Sequence, residues 1–168
     1  MAPVLTFAMT AAITPGPNNI ILSTNAVNYG FKETIPLMMG VFFGFLSILT
    51  LCLLGIGELY QSFPAIAAIV KTVATCFLVY LSFRIFFSSS FSDGGSSKKF
   101  SFMDIYFFQI INPKAVTVSM SSSAIFIQNK FSYQIEFLLI FICFVISTST
   151  SAIAWAAIGH SFRKYLND

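Results

Sequence analysis

Two short motifs place prolines and amide side chains inside apolar stretches of the chain. They read Thr14-Pro15-Gly16-Pro17-Asn18-Asn19 and Asn112-Pro113-Lys114. Proline lacks an N–H and clashes with the carbonyl four residues earlier, so each motif is predicted to interrupt a helix and to release backbone carbonyls. The residues that precede these prolines are also pushed away from helical geometry. In lipid, such free backbone groups persist only where protein or a water-filled cavity covers them.

The ends of these interrupted helices suit a zwitterionic amino acid. The N-terminal end of each second half-helix presents free N–H groups and a positive dipole end, which favour a carboxylate. The released carbonyls of Ala11, Ile13 and Gln109, together with the asparagine amides, can accept from an ammonium group. Ordinary proline kinks covered by neighbouring helices are the alternative interpretation. The residues predicted to bind a small amino-acid substrate are Pro15, Gly16, Pro17, Asn18, Asn19, Asn112, Pro113 and Lys114.

Lys114 is the charged residue of the predicted site. Counted from Ile105 at 1.5 Å per residue, it lies roughly 14 Å deep in a membrane. A lysine at that depth costs roughly 2.5–3.5 kcal/mol on insertion scales. We expect no Asp or Glu inside a span to pair with it, so its partners are carbonyls, water or a substrate carboxylate. A purely structural lysine, held by Ser and Asn groups, is the alternative, whereas Lys71 is expected to snorkel to the membrane surface.

The composition excludes a soluble domain. The 168 residues include nine Lys or Arg and six Asp or Glu, while 57% are apolar and 21 are Phe. Charged residues make up 9% of the chain, against roughly 25% in soluble domains. A net charge of +3 is too small and too scattered for a nucleic-acid partner. The chain is therefore predicted to be an all-α, polytopic membrane bundle in contact with lipid, and its Phe residues are expected mostly to face that lipid.

Five apolar stretches approach the length of about 20 residues that a membrane helix needs. A Gly/Ser-rich segment between the third and fourth stretches divides the chain into a three-helix repeat at 1–87, a linker at 88–104 and an incomplete repeat at 105–168. Interrupted segments at matching places in two halves are typical of transporters built from repeats. The five stretches are 4–24, 34–57, 64–87, 105–127 and 135–159.

Lys and Arg in the loops predict the orientation of the chain. One side carries Lys130 alone, so we expect the N-terminus outside the cell and the 88–104 loop and the C-terminus in the cytoplasm. The cations of the cytoplasmic side are Lys32, Arg84, Lys98, Lys99, Arg163 and Lys164.

Two further features bear on packing and cofactors. Gly40 and Gly44 form a small-xxx-small pair that predicts close helix packing. The single histidine, His160, has no Cys/His cluster around it, so neither a metal site nor a cofactor is expected. A homo-oligomer is compatible with the sequence.

These motifs resemble those of the lysine exporter/homoserine–threonine resistance (LysE/RhtB) family of bacterial inner-membrane amino-acid exporters. The resemblance spans essentially the whole chain, and its late Trp155-Ala-Ala-Ile-Gly159-His160 segment looks most like the cysteine/O-acetylserine exporter branch. The resemblance suggests coupling to the proton gradient, but the sequence offers no carboxylate in mid-membrane to carry the proton, so the coupling ion stays open. Export by alternating access is the functional hypothesis. The matching segments are Ile13-Thr14-Pro15-Gly16-Pro17-Asn18-Asn19, Gly30-Phe31-Lys32, Gly40-x-x-x-Gly44-Phe45 and Ile111-Asn112-Pro113-Lys114-Ala115.

Members of the family usually have about six spans, whereas five are predicted here. We therefore expect the second repeat to lack its third helix, which leaves two alternatives: a truncated, inactive product, or a subunit whose partner supplies the missing surface. A rival function is a membrane-embedded enzyme with Lys71 or Lys114 as nucleophile or base. It would need a partner acid and orienting groups in the same pocket. We expect no such constellation and predict a transporter.

Overall fold

The computed structural model describes most of the chain, and every element within the described part is helical. Lys71, most of the predicted third span at 64–87 and the part of the predicted linker at 88–99 lie outside it, whereas residues 100–104 of the predicted linker are described and include the start of a helix at Phe102. The described residues are 1–56, 100–128 and 130–166, together with isolated positions between 65 and 79.

The first apolar stretch folds as two helices separated by the proline motif. Helix α1 spans Ala2–Ile13 and α2 spans Pro17–Tyr29. Thr14, which precedes Pro15, adopts φ −52° and ψ 131° and so ends α1. Pro17 begins α2, where its fixed φ suits the helix and its missing N–H would have no partner in any case. The structure thus has the interruption that the sequence predicts.

Helix α3 follows α2 directly and is the longest of the helices described in the N-terminal half. It spans Phe31–Leu51 and continues as a π-helical turn, Cys52–Ile56. The turn from α2 into α3 requires Gly30, whose φ of +94° lies in the region that favours glycine.

The second interruption also separates two helices. Helix α4 spans Phe102–Ile111 and α5 spans Pro113–Phe126. Asn112 caps α5, because its side chain accepts from the Lys114 backbone N–H at 3.1 Å. The chain then turns into α6, a 34-residue helix over Tyr133–Leu166.

Within the described residues, two helices are long and apolar enough to cross a membrane by length and composition. They cover Phe31–Gly55 and Tyr133–Arg163, and so coincide with the predicted second and fifth spans. Helices α1 and α4 are shorter apolar helices. Each needs its partner, α2 or α5, to reach the length of a span.

Two apolar clusters lie on either side of the helix breaks. The Phe144 cluster contains buried side chains of α1, α3, α5 and α6, including Ala8, Leu49 and Phe144. The Leu22 cluster contains side chains of α2, α3, α4 and α6, including Leu22 and Phe108. Each interrupted helix therefore contributes one half to each cluster, and both breaks lie at the level between the clusters.

Glycines permit close packing at two helix pairs. A Cβ on Gly40 would lie 2.7 Å from the carbonyl oxygen of Phe102, and one on Gly44 would lie 2.7 Å from that of Tyr106. Both glycines of α3 thus face the backbone of α4, as a small-xxx-small pair requires.

Gly159 holds the other close pair, α2 against α6. A Cβ there would lie 2.7 Å from the Cα of Ser23, so we expect Gly159→Ala to lower the free energy of unfolding by about 1–3 kcal/mol. The measurement is the unfolding midpoint of the purified protein in detergent. Ala154→Val, on the exposed face of the same helix, is the matched control. Equal losses in both variants would contradict a close backbone contact at Gly159.

Candidate functional site

Asn19 closes the end of α1 from the first turn of α2. Its Nδ2 donates to the carbonyls of Ala12 and Thr14, at 3.0 Å each, and the side chain is 6% exposed. No described donor lies within hydrogen-bond distance of its Oδ1. One side chain therefore satisfies backbone groups released by the break and keeps an acceptor free.

Helix α6 supplies the other partners of the α1 end. Ser151 Oγ donates to the Ala12 carbonyl at 2.7 Å, and Trp155 Nε1 donates to the Ile13 carbonyl at 3.2 Å. At the second break, the Gln109 carbonyl accepts from the Asn112 backbone N–H at 3.2 Å. Each of the Ile13 and Gln109 carbonyls, which the sequence assigns to an ammonium group, thus already accepts one hydrogen bond from the protein, and each keeps a second acceptor position.

Lys114 links the two interrupted helices. Its Nζ donates to the Thr14 carbonyl, which takes one of the three donors of the ammonium group. The lysine stem crosses Gly16, where a Cβ would lie 3.0 Å from Lys114 Cδ and 3.1 Å from Nζ. Gly16 therefore leaves the room through which the lysine reaches the end of α1.

A cluster of three amide side chains joins α2 to the second break. Asn18 and Gln109 pair reciprocally: Asn18 Nδ2 donates to Gln109 Oε1, and Gln109 Nε2 donates to Asn18 Oδ1, both at 2.9 Å. Asn112 Nδ2 donates to the same Asn18 oxygen at 3.1 Å. The Asn112 amide is thus occupied on both sides, so in this structure it supports the break, whereas the sequence assigns it to the substrate.

Gln109 is a site residue that the sequence motifs do not indicate. It is fully buried, and it fits because Gly44 has no side chain: a Cβ there would lie 2.6 Å from Gln109 Cγ. The available signal is a glutamine four residues before Pro113, within the apolar second half of α4.

A cavity of about 60 Å³ lies between the two apolar clusters, at the level of both breaks. That volume holds on the order of four water molecules. Its lining residues are of two kinds, polar and apolar, which are named the polar wall and the apolar wall. The polar wall consists of Gly16, Pro17, Asn18, Asn19, Asn112, Lys114, Thr148 and Ser151, and the apolar wall includes Val41, Phe45, Ala115, Val118 and Phe144.

The predicted site residues divide into two groups. Six of the eight belong to the polar wall of the cavity: Gly16, Pro17, Asn18, Asn19, Asn112 and Lys114. Pro15 and Pro113 are exposed and do not line it; they shape the backbone instead. Gly40 and Gly44 face α4 and also lie outside the lining.

One carboxylate is buried where none was expected. Glu136 of α6 is 5% exposed, and its oxygens accept from the backbone N–H groups of Gln128, Lys130 and Phe131 at 2.8–3.2 Å. The expectation of spans without Asp or Glu is therefore wrong, because a carboxylate can be buried where it caps a loop. In the described residues, no group of three or more His, Cys, Asp or Glu side chains could hold a metal ion.

Comparisons with known proteins agree with this architecture. The family model described as LysE type translocator matches residues 9–167. The cysteine/O-acetylserine efflux protein of Shigella flexneri serotype 5b (strain 8401) is 26% identical over 170 residues, which cover 98% of this chain and 87% of that protein. The protein of the same description from Escherichia coli (strain K12) is 26% identical over 160 residues, which cover 95% and 82%. No solved structure gives a significant match.

Proposed function

Because the chain belongs to the LysE type translocator family, we propose that it exports small amino acids or their derivatives across the bacterial plasma membrane. The observation that carries the proposal is a cavity of zwitterion size between two interrupted helices, with an ammonium group and free polar acceptors on one wall. The efflux of cysteine and O-acetylserine in the names of the relatives supports the same substrate class.

The polar wall can bind both charged ends of an amino acid. A carboxylate suits Lys114, which has donors to spare, and the start of α2, which no described side chain caps. An ammonium group suits Asn19 Oδ1 and the hydroxyl of Thr148, which has no described partner. Binding at these groups directs the substrate side chain towards the apolar wall.

We further propose five spans with the orientation that the loop cations predict. The spans are α1 with α2, α3, the stretch at 64–87, α4 with α5, and α6. A Cβ on Gly30 would collide with the Arg163 guanidinium, which supports a common end for Arg163 and Lys32. Lys130 precedes the other end of α6.

The repeats at 1–87 and 105–168 are part of the same proposal. Helix α2 packs along α6 and α4 packs along α3, so each interrupted helix lies on the unbroken helix of the other half. This exchange supports alternating access, in which one half moves against the other around the cavity. Family membership also favours transport over catalysis by Lys114.

Efflux from cells that carry the gene tests the proposal. Cells are loaded with labelled cysteine, O-acetylserine, threonine, homoserine or lysine, and loss of label is followed with the amount of membrane protein measured in parallel. We expect at least one small substrate to leave several-fold faster than from cells with an empty vector. If the protein is present in the membrane but none of the five compounds leaves faster than from the control cells, the chain is instead an inactive or partner-dependent subunit.

A further inference from the structure

The cavity lining contains two aromatic side chains, Phe45 and Phe144. Phe144 of α6 is 1% exposed and Phe45 of α3 is 8% exposed, and both line the cavity. Their ring centroids are 5.4 Å apart with an interplanar angle of 41°. The two rings thus pack against each other and present one apolar surface to a bound molecule.

Further aromatic rings pack against Phe144 and restrict its movement. Phe7 of α1 meets Phe144 edge-on with centroids 6.4 Å apart, and it meets Phe126 of α5 in the same way at 5.6 Å. The rings therefore join α1, α3, α5 and α6. Because protein interiors are close-packed, an added methylene at such a surface forces strained side chains.

We propose that Phe144 and Phe45 determine specificity by setting the length of the substrate side chain that the cavity accepts. The inference rests on the proposed function, because it is the charged ends of the substrate on Lys114 and Asn19 that direct the side chain to these rings. Short aliphatic or thiol side chains end at the ring surface, whereas longer unbranched ones collide with it. One methylene in an apolar pocket changes discrimination by roughly 10–200-fold.

A homologous series of amino acids tests this inference on the purified 168-residue chain in detergent. The probes are alanine, 2-aminobutyrate, norvaline and norleucine, which lengthen by one carbon at a time. A ligand that binds the folded state raises the unfolding midpoint, and the dependence on its concentration gives Kd. Emission of Trp155, the only tryptophan, reports unfolding.

We expect the parent to bind the short members of the series more tightly than norleucine. In Phe144→Ala the ratio of the norleucine Kd to the alanine Kd should fall at least tenfold, since truncation of a packed ring leaves space that its surroundings fill only in part. Phe144→Leu keeps more of the apolar volume and should lower the ratio less. It carries the test even if the alanine variant does not fold.

Phe141→Ala is the matched control. Its ring lies one turn from Phe144 on the same helix and stacks on Phe137 at 6.1 Å, but it does not line the cavity. Its ratio should equal that of the parent. If Phe144→Ala or Phe144→Leu folds and keeps the parental ratio of the norleucine Kd to the alanine Kd, the inference about the rings is wrong, whereas the proposed function still stands. A parent that binds no member of the series would overturn the proposed function together with it.

Discussion

Replacement of Lys114 with methionine is expected to lower the rate of substrate export at low substrate concentration roughly 10- to 100-fold. Among the described residues, Lys114 is the only lysine that lines the cavity, and the proposed substrate presents a carboxylate to it. Because the lysine side chain is half-buried, the substitution removes a hydrogen bond between charged groups, which is worth about 1.5–3 kcal/mol. At 1.4 kcal/mol for each factor of ten, this cost corresponds to roughly 10- to 100-fold.

The same substitution should leave the protein folded. The Thr14 carbonyl that accepts from Lys114 also accepts from Asn19 Nδ2 at 3.0 Å, so it keeps a partner. Methionine retains the apolar stem that crosses Gly16. A lysine with only a structural role would therefore be replaced at little cost to export.

Initial efflux rates from proteoliposomes, normalised to the amount of folded protein, measure the effect. Lys130→Met is the matched control, because Lys130 is exposed in the loop before α6 and its backbone N–H, which donates to Glu136, is unchanged by the substitution. Parental export by Lys114→Met would remove the lysine from the proposed site.

Local chemistry explains why the positions of the helix breaks were predictable. Pro17 and Pro113 act on their own backbone and on the residue just before them, so the ends of α1 and α4 can be read from the motifs. The helical class follows in the same way from the scarcity of charge and the length of the apolar stretches. Both properties belong to short segments and need no knowledge of tertiary packing.

The partners of the freed backbone groups could not be read from the same motifs. Ser151 and Trp155 reach the end of α1 from positions 139 and 142 residues away along the chain. The motifs also do not indicate which Phe rings face the protein interior. From composition the Phe residues are expected mostly to face lipid, whereas Phe144 is almost wholly buried. Burial of these side chains depends on how α6 packs on the other helices, and the sequence of α6 has no single apolar face that would indicate the inward side.

The Asn18–Gln109 pair gives the second large expected effect. Gln109→Leu removes the acceptor of Asn18 Nδ2 and one of the two donors to Asn18 Oδ1, which then keeps only Asn112 Nδ2. An unsatisfied buried polar group costs about 1–3 kcal/mol. Because Asn18 belongs to the first turn of α2, whose groups line the polar wall, we expect KM for export to rise roughly 10- to 100-fold by that cost.

A reciprocal exchange separates positioning from simple packing. Asn18→Gln combined with Gln109→Asn keeps the two amides and the total number of methylene groups between the backbones. The KM of the exchanged protein should be at least tenfold lower than that of Gln109→Leu. Gln134→Leu, at an exposed position near the start of α6, controls for the loss of an amide and should leave KM unchanged.

The KM of Gln109→Leu and the KM of the exchanged protein together show whether the pair positions the substrate site or only fills space. If Gln109 only filled space beside Gly44, Gln109→Leu would leave KM nearly unchanged. The exchange moves a methylene from one helix to the other and would then raise KM more than Gln109→Leu does. If the amides position the start of α2, the exchange restores KM and leucine does not. An exchanged protein with a KM as high as that of Gln109→Leu would show that the pair does not orient the substrate site, because both amides would be present and binding would still be lost.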